Sequence, residues 1–287
     1  MQYSDLDDFL RRGRTYLARG PVAVILAEDA VALHETVAHH LRLGFRAIIL
    51  LVPPGIPTDF APDQPVAVVA HRTGRDDGWQ PALNRIIAAA QGQWLYYCFN
   101  AEFLFFPFCE TRRIGEMLTF HSEERRDAML TYVIDLYAGD LTRAPNAVDL
   151  SDAWLDRSGY YASVRTGPDG SRLDRQYDFF GGLRWRYEEH VPANKRRIDR
   201  IALFRAAPDL ELQADHRFNR QEYNTYACPW HHNLTAAVCS FRTAKALRAN
   251  PGSRHDIPSF RWQNSTRFDW KSQQLLDMGL MEPGQWF

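Results

Sequence analysis

The sequence has no apolar run long enough to cross a membrane. Its longest apolar runs, such as AIILLV at 47–52, fall far short of the roughly 20 residues that a transmembrane helix needs. Residues 1–20 are charged and contain no apolar stretch of signal-peptide length. We therefore expect no transmembrane segment and a cytoplasmic location.

Neither sign of charge is in excess, and no cysteines form a C-x-x-C pair. The chain has 34 Lys and Arg against 35 Asp and Glu, so it lacks the positive field with which proteins bind nucleic acids or anionic membranes. Two of the four cysteines lie among strongly apolar neighbours, where a reduced, packed thiol is the usual state. We expect structural thiols, small or locally recognised partners and no nucleic acid.

Apolar residues make up 45% of the chain, and in the first 140 residues they alternate between strand and helix patterns. Residues 21–29 predict a strand, 32–45 a helix that ends at Gly44, and 46–55 a strand stopped by prolines. The alternation continues through 65–71, 79–91, 94–108, 114–126 and 128–140. It predicts an α/β fold with a mostly parallel sheet flanked by helices, which binds ligands at the carboxyl ends of its strands.

The alternation stops near residue 140. Residues 141–180 are rich in Asp, Arg, Ser and Gly, which predicts loops and a hairpin around Asp169-Gly170. Residues 234–247 and 272–278 predict helices. We divide the chain into 1–140 and 141–287, with an irregular α+β second half packed with the first as one domain.

Polar residues stand at the predicted strand ends. Glu28 and Asp29 end the first strand, Asn100 and Glu102 lie in 94–108, and Asp135 comes near the end of the fifth strand. Strand alternation places Asn100 and Glu102 on the same face. These residues are either ligand contacts at the carboxyl edge or turn and cap residues.

A glycine pair is followed by basic residues. Gly181 and Gly182 allow close backbone approach, and Arg184 and Arg186 follow at once, a combination that suits a phosphate group. The alternative is a solvated basic face balanced by nearby acids such as Glu188.

Three histidines, His216, His231 and His232, lie in the segment 215–232. Adjacent histidines on a loop suit a metal, but no further ligand has a recognisable metal spacing. Hydrogen bonding to a substrate and plain packing are the other interpretations.

The C-terminal segment is aromatic, with Trp262, Trp270 and Trp286. These rings either stack on a sugar or pack onto the rest of the chain. A homo-oligomer, in which they pack against a second copy, is a further partner that the sequence allows.

Taken in order, these features resemble glycosyltransferase family 2, whose enzymes have the GT-A fold. The likeness covers roughly residues 20–235 and is carried by HETVAHHLRLGFRAIILL, WLYYCFNAEFLFFP and GGLRWR, and then by RRIDRIALFR and ADH. It implies a Rossmann-like, nucleotide-sugar-binding half at 1–140. Residues 141–287 would form the acceptor-side half and an aromatic extension.

In the family, an Asp-x-Asp pair binds the Mn or Mg ion that neutralises the leaving diphosphate. When Glu102 is aligned with the acid that follows this pair, the two Asp positions become Phe99 and Ala101. Neither residue is a metal ligand, so we expect no metal site and weak or no metal dependence. Arg184 and Arg186, or the basic cluster 195–200, would then stabilise the diphosphate.

The resemblance assigns roles to individual residues. The candidates for the base that deprotonates the acceptor are Asp135, Asp178 and Glu188. The candidates for nucleotide-sugar binding are Glu28, Asp29, Asn100, Glu102, Gly181, Gly182, Arg184 and Arg186. His216, His231 and His232 are expected on the acceptor or phosphate side.

Two functions follow from the sequence. The first is a glycosyltransferase that moves a sugar from a nucleotide-sugar to a hydroxyl acceptor. The second is an inactive GT-A-like pseudoenzyme that acts as a binding or assembly module. Loss of both metal-ligand aspartates favours the second, and the remaining acids and the basic-glycine segment favour the first.

Overall fold

The computed structural model describes residues 1–72, 78–225 and 233–286. The chain has a mixed α/β structure, and its largest sheet is mostly parallel and flanked by helices. It divides into two compact units, neither of which is continuous in sequence. Unit 1 comprises Met1–Phe103, Thr111–Met129 and Ile201–Asn224; unit 2 comprises Leu104–Glu110, Leu130–Arg200 and Thr225–Phe287.

The strands and helices are numbered in chain order. The strands are β1 (Gln2–Tyr3), β2 (Val22–Leu26), β3 (Ala47–Val52), β4 (Val66–Ala70), β5 (Trp94–Phe99), β6 (Glu102–Phe105), β7 (Ala128–Ala138), β8 (Ala153–Asp156), β9 (Tyr161–Thr166), β10 (Arg172–Phe180), β11 (Asp199–Arg205), β12 (Ala236–Ser240) and β13 (Ser265–Arg267). The helices are α1 (Leu6–Arg12), α2 (Leu33–Leu43), α3 (Trp79–Ala89), α4 (Ile114–Glu123), α5 (Gly182–Arg186), α6 (Gln221–Asn224), α7 (Arg242–Ala249) and α8 (Ser272–Asp277).

Unit 1 contains parallel strands in the order β1-β4-β3-β2-β5, of which β2, β3, β4 and β5 lie in predicted strand segments and β1 was not predicted. β11 pairs with β5 in the antiparallel direction. Strands β2 and β3 are buried along their whole length, as is typical of parallel strands covered on both faces. The strand and helix alternation predicted for residues 21–99 is confirmed.

Helix α2 ends where its sequence predicts. Gly44 has a φ of +95° and donates its backbone N–H to the carbonyls of His40 and Leu41. A left-handed residue at this position ends a helix without the steric cost that a side chain would bring. Arg46 then leads directly into β3.

Unit 2 is built differently. β7 pairs in parallel with β12 and in antiparallel with β8, which pairs with β13. β9 and β10 form the predicted hairpin around Gly170, whose φ is +78°. A core cluster that includes Tyr137, Leu183, Leu247 and Phe260 lies within this unit.

The single strand predicted over 94–108 is wrong. The chain forms β5, turns at Asn100 and Ala101, and forms β6. Ala101 has a φ of 60°, which a continuous strand does not contain. The period-two argument that put Asn100 and Glu102 on one face therefore does not apply.

The helix predicted over 234–247 is also wrong in its first half. Residues Ala236–Ser240 form the buried strand β12 beside β7, and only Arg242–Ala249 is helical. The segment AAVCS is apolar up to its last residue, and such a run has no period that separates a buried strand from a buried helix. The helix ends at Ala249, directly before Asn250 and Pro251.

The C-terminal tryptophans pack within unit 2. The indole N–H of Trp262 donates to Asp156 and that of Trp270 to the carbonyl of Leu150, and Trp286 packs near the ring of Phe106. Packing, and not an exposed sugar platform, therefore accounts for these three rings. In the described ranges, no helix has the length and apolar character to span a membrane.

Candidate functional site

The carboxyl edge of the unit 1 sheet brings Asp29 and Asn100 together. β2 and β5 are parallel and in register, with Leu26 opposite Phe99, so the residues that follow each strand meet at the same edge. The Asn100 amide donates to Asp29 Oδ1 at 2.6 Å and to the carbonyl of Val31 at 3.0 Å. Asn100 Oδ1 accepts the backbone N–H of Glu28 at 2.8 Å.

Asn100 thus holds the loop that joins β2 to α2. Its side chain is fully buried, and its three hydrogen bonds all go to residues 28–31. Asp29 itself accepts the backbone N–H of Val31 at 2.9 Å, while Glu28 is exposed at the surface. The shape of this loop therefore depends on an amide that lies 71 positions from Asp29 in the chain.

Glu102 has a different environment from the one that its sequence position suggests. It is fully buried, and its Oε2 accepts the backbone N–H of Phe99 at 2.9 Å. The carboxylate therefore bridges the turn between β5 and β6.

Two alanines at this edge have left-handed backbone. Ala32, the N-cap of α2, has a φ of 51°, and Ala101 has a φ of 60°. A residue with a Cβ adopts this region at a cost of about 1–3 kcal/mol, and such strain is concentrated at ligand sites.

The buried hydroxyl of Thr36 connects both strained residues. It donates to the carbonyl of Ala32 at 2.6 Å and accepts the N–H of Ala101 at 2.9 Å. The next turn of α2 carries His40, whose Nδ1 donates to the carbonyl of Thr36 at 2.7 Å. Burial lowers the pKa of His40 to about 3, so this ring is neutral at neutral pH. Sequence analysis did not find Thr36, because a threonine inside a helix has no distinctive pattern.

Replacing Thr36 with valine is expected to lower the free energy of unfolding by about 2–3 kcal/mol, because the N–H of Ala101 loses its partner in the interior. Urea denaturation measures this change. Thr119→Val is the matched control, since the Thr119 hydroxyl makes the same bond to a carbonyl four residues earlier, but on the exposed surface of α4. An equal loss in both variants would contradict the role given to Thr36.

Two helices of unit 1 begin at this edge without a side-chain cap. α2 has Ala32 at its N-cap and α3 has Gly78, and neither makes a side-chain capping bond. Uncapped N–H groups and the positive end of the helix dipole attract phosphate groups.

His216 joins the same unit through an aromatic stack. Its ring lies 4.8 Å from the ring of Trp79 at an interplanar angle of 19°. Its Nδ1 is 2.8 Å from the hydroxyl of Tyr97, a buried residue of β5. Trp79 is the first residue of α3, so the stack lies where that helix begins. Sequence analysis named His216 but not its two ring partners.

Asp135 is the candidate base for which the structure gives the most distinctive environment. It lies in unit 2, and its side chain is fully buried. Its Oδ2 accepts the N–H of Arg184 at 3.3 Å, and its Oδ1 lies 3.4 Å from Arg184 Nε. Over the part of the chain that the structure describes, Oδ1 has no hydrogen-bond partner of good geometry. Burial raises the pKa of Asp135, and Arg184 and the Thr243 hydroxyl lower it in part.

The glycine pair lies against Asp135. Gly182 has a φ of +63°, and a Cβ on it would lie 2.9 Å from Asp135 Oδ2. A Cβ on Gly181 would lie 2.2 Å from the ring of Tyr160. Any larger residue would displace these neighbours, so both glycines are required for close backbone approach.

The other predicted catalytic acids form ion pairs. Asp178 Oδ1 accepts from Arg165 at 2.7 Å and from Arg197 at 3.0 Å. Glu188 is exposed and lies 3.3 Å from Arg196. Both carboxylates are in unit 2.

Arg184 and Arg186 also have partners inside unit 2. Arg184 donates to the Thr243 hydroxyl and to the carbonyl of Arg197. Arg186 donates to both oxygens of Asp156, at 2.8 and 3.2 Å. Arg184 and Arg186 therefore bind groups of the protein itself and do not form a solvated basic face.

The remaining predictions concern histidines and metals. His231 and His232 lie outside the described residues. In the ranges that are described, no group of three or more His, Cys, Asp or Glu side chains is placed to hold a metal ion. Phe99 and Ala101, at the two family metal positions, are both buried.

The amino edge of the unit 1 sheet carries a cleft that the sequence did not predict. It has a volume of about 1000 Å³ and is lined by residues that precede the strands, among them Pro21, Arg46 and Gln93, and by one side of α4. Parallel sheets bind their ligands at the opposite edge, so the candidate site remains the one around Asp29 and Asn100.

Comparison with known proteins gives no relative from which a role could be transferred. No protein-family model matches the chain, and no curated protein matches it. The resemblance of the sequence to glycosyltransferase family 2 therefore stays a prediction.

Proposed function

We propose that the protein binds a nucleotide-sugar at the carboxyl edge of the unit 1 sheet, as a GT-A-like glycosyltransferase with weak or no metal dependence. The observation that carries this proposal is the loop between β2 and α2, held by Asn100 and followed by the uncapped start of α2. Open α/β sheets bind ligands at this edge. Hydrogen bonds from a residue distant in sequence, together with strained backbone, fit a loop whose shape is needed for binding.

The diphosphate would lie at the start of α2 and α3. Both helices have 11 residues and no side-chain cap, so their first N–H groups are suited to phosphate oxygens. The nearby ring of Trp79 offers a flat surface for a base or sugar. Mn or Mg has no Asp-x-Asp ligands at 99 and 101, so the helix ends would carry the stabilisation that a cation gives in the family.

Transfer requires a base, and Asp135 is our candidate. Its role would be to accept the proton that an acceptor hydroxyl loses on transfer. The raised pKa of Asp135 fits a general base that must accept a proton. Asp178 and Glu188 are weaker candidates, because Asp178 accepts short hydrogen bonds from Arg165 and Arg197 and Glu188 is exposed.

A binding or assembly module without transferase activity is the second candidate function. One observation favours it. Arg184 and Arg186, which the family resemblance places at the leaving diphosphate, hold protein carbonyls and carboxylates instead. A domain that binds nucleotide-sugars but does not cleave them would have no need of free cations there.

Thermal unfolding with uridine, guanosine, thymidine and cytidine diphosphates and their sugars, each with and without manganese, tests the proposal. We expect one nucleotide to raise the midpoint temperature of unfolding without manganese. At a ligand concentration a hundred times Kd, binding should raise the free energy of unfolding by about 2.7 kcal/mol. A rise that requires manganese would contradict the weak or absent metal dependence that we propose. No rise with any nucleotide would overturn nucleotide binding altogether.

Asp135→Asn separates the two candidate functions. For a transferase, this variant should retain the nucleotide-dependent rise in midpoint and lose release of the nucleoside diphosphate from the sugar donor. Glu189→Gln is the control, because Glu189 is exposed and is not a candidate base. If neither the wild type nor the Glu189 variant releases nucleoside diphosphate with any donor that binds, the module is the correct function.

A further inference from the structure

Exposed aromatic rings are concentrated in one part of unit 2. Four large apolar side chains in the described part of the chain are strongly exposed, and three of them, Tyr161, Val164 and Trp185, lie in or just after the hairpin β9–β10. Tyr161 is 50% exposed and Trp185 is 42% exposed. Single exposed apolar residues need no explanation, but a local cluster of them indicates a binding surface.

Both rings are supported from behind. The ring of Tyr161 stacks on the ring of Phe180, its partner across the hairpin, at 5.2 Å and 21°. The ring of Trp185 packs over Gly159, where a Cβ would lie 3.3 Å from it. Support on one face and exposure of the residue leave each ring able to present a flat surface to a ligand.

The size of this surface argues against a protein partner. Two rings at these exposures offer together about 200 Å², whereas a stable protein interface buries about 800 Å² on each side. Val164 does not enlarge the surface, because it is three positions from Tyr161 and leaves the strand on the opposite face.

The chemistry of the surface fits a sugar. The C–H groups on one face of a pyranose ring carry slight positive charge and pack on the negative face of an aromatic ring. Ser163 is exposed and lies on the same face of β9 as Tyr161, where its hydroxyl can bond to a sugar hydroxyl. An apolar surface with a polar neighbour binds a ring that is itself apolar on its faces and polar at its rim.

Its position connects the surface with the proposed chemistry. Trp185 belongs to α5, the short helix that begins at Gly182. Gly182 lies against the carboxylate of Asp135. The rings and the candidate base are therefore attached to the same short segment of unit 2.

We propose that Tyr161 and Trp185 form a platform for a pyranose ring, so that the acceptor is itself a carbohydrate. This inference rests on the proposed function, because it names the class of the hydroxyl acceptor.

Fluorine NMR of the full chain labelled with 5-fluorotryptophan tests the platform, with Trp185→Phe used to assign the Trp185 signal. The probes are maltotriose, cellotriose, xylotriose and chitotriose, and sorbitol serves as a polyol without a ring. We expect at least one triose to shift the Trp185 signal in a saturable way, while sorbitol leaves that signal unchanged and the signal of the buried Trp286 shows no change with any probe. Tyr161→Ala should weaken that binding by about three- to tenfold, and Val164→Ala should leave it unchanged.

Three results would overturn the platform. They are the absence of a saturable shift with any triose, an equal shift with sorbitol, and a Trp185 signal that changes on dilution, which would show that a second copy of the chain covers the rings. Nucleotide-dependent stabilisation is measured on the same samples. If the nucleotide stabilises the protein and no triose shifts the Trp185 signal, the platform is wrong and the proposed function stands. If a triose shifts the signal and no nucleotide stabilises the protein, the nucleotide site is wrong and the protein binds carbohydrate.

Discussion

Replacing Asp156 with alanine is expected to lower the free energy of unfolding by about 3–5 kcal/mol, because it leaves Arg186 without its carboxylate in the interior. Asp156 is 1% exposed. It accepts two bonds from Arg186, one from the Tyr137 hydroxyl at 2.6 Å and one from the Trp262 indole at 2.8 Å. Urea denaturation followed by tryptophan fluorescence measures the loss.

The control for this variant is Asp152→Ala, four residues earlier. Asp152 is partly exposed and lies 3.9 Å from Arg267, so its removal should cost less than about 1 kcal/mol. The double variant Asp156→Leu with Arg186→Met removes both charges and should recover part of the loss. Equal stability of the Asp156→Ala and Asp152→Ala variants would show that the bonds accepted by Asp156 contribute nothing to the free energy of unfolding.

The pairing of Asp156 with Arg186 is a feature that the sequence could not predict. Asp156 lies in a segment that composition assigned to loops, and Arg186 was assigned to a phosphate site. A carboxylate and a guanidinium 30 residues apart carry no pattern that pairs them. Only the packing of β8 and α5 within unit 2 brings them together.

The parallel strands of unit 1 were predictable for a physical reason. β2, β3 and β4 are short, wholly apolar runs, and β2 and β4 are each followed by a helix with an apolar face. In these strands the apolar pattern of the local sequence agrees with the burial in the folded chain, so the pattern alone predicts them.

The same reasoning failed where local sequence allowed two structures. WLYYCFNAEFLFF is apolar on both sides of Asn100 and contains no Gly or Pro to indicate a turn. The turn at Ala101 depends on the hydroxyl of Thr36, which is 65 positions away. A partner so distant in sequence cannot be found from the pattern around the turn itself.

The candidate site was therefore predictable in place but not in detail. The rule for the carboxyl ends of strands selected Glu28, Asp29 and Asn100, and the structure brings Asp29 and Asn100 together at that edge. No pattern around Asn100 indicates that its amide holds the loop at 28–31. That arrangement makes Asn100 the residue at which stability and the proposed binding can be tested together.

Asn100→Asp is expected to lower the free energy of unfolding by about 3 kcal/mol or more at neutral pH and to abolish nucleotide binding. The substitution keeps the shape of the side chain and the oxygen that accepts from Glu28. It replaces the donor that faces Asp29 Oδ1 and the Val31 carbonyl with an acceptor, so a buried carboxylate would meet a second carboxylate and a carbonyl oxygen.

The pH dependence of this variant identifies the cause. Burial and Asp29 should both raise the folded-state pKa of the carboxyl introduced at position 100 above its unfolded value. The destabilisation is then present above the folded-state pKa and diminishes as the pH falls through it towards the unfolded value, because the protonated acid can again donate to Asp29. Asn146→Asp is the matched control, since Asn146 is exposed and the bond that the structure gives its Oδ1 is an accepted one, from the N–H of Val148.

Two outcomes would distinguish a structural role of the Asn100 hydrogen bonds from a role in nucleotide binding. One outcome is that Asn100→Asp is destabilised at neutral pH, recovers its stability in acid and still binds the nucleotide. The hydrogen bonds of Asn100 are then only structural, and ligand binding does not depend on the loop at 28–31. If its stability equals that of the wild type at all pH values, the bonds from Asn100 to Asp29 and Val31 do not hold that loop. A loss of binding that reverses in acid together with the loss of stability would tie the proposed ligand to the one loop whose shape depends on both β2 and β5.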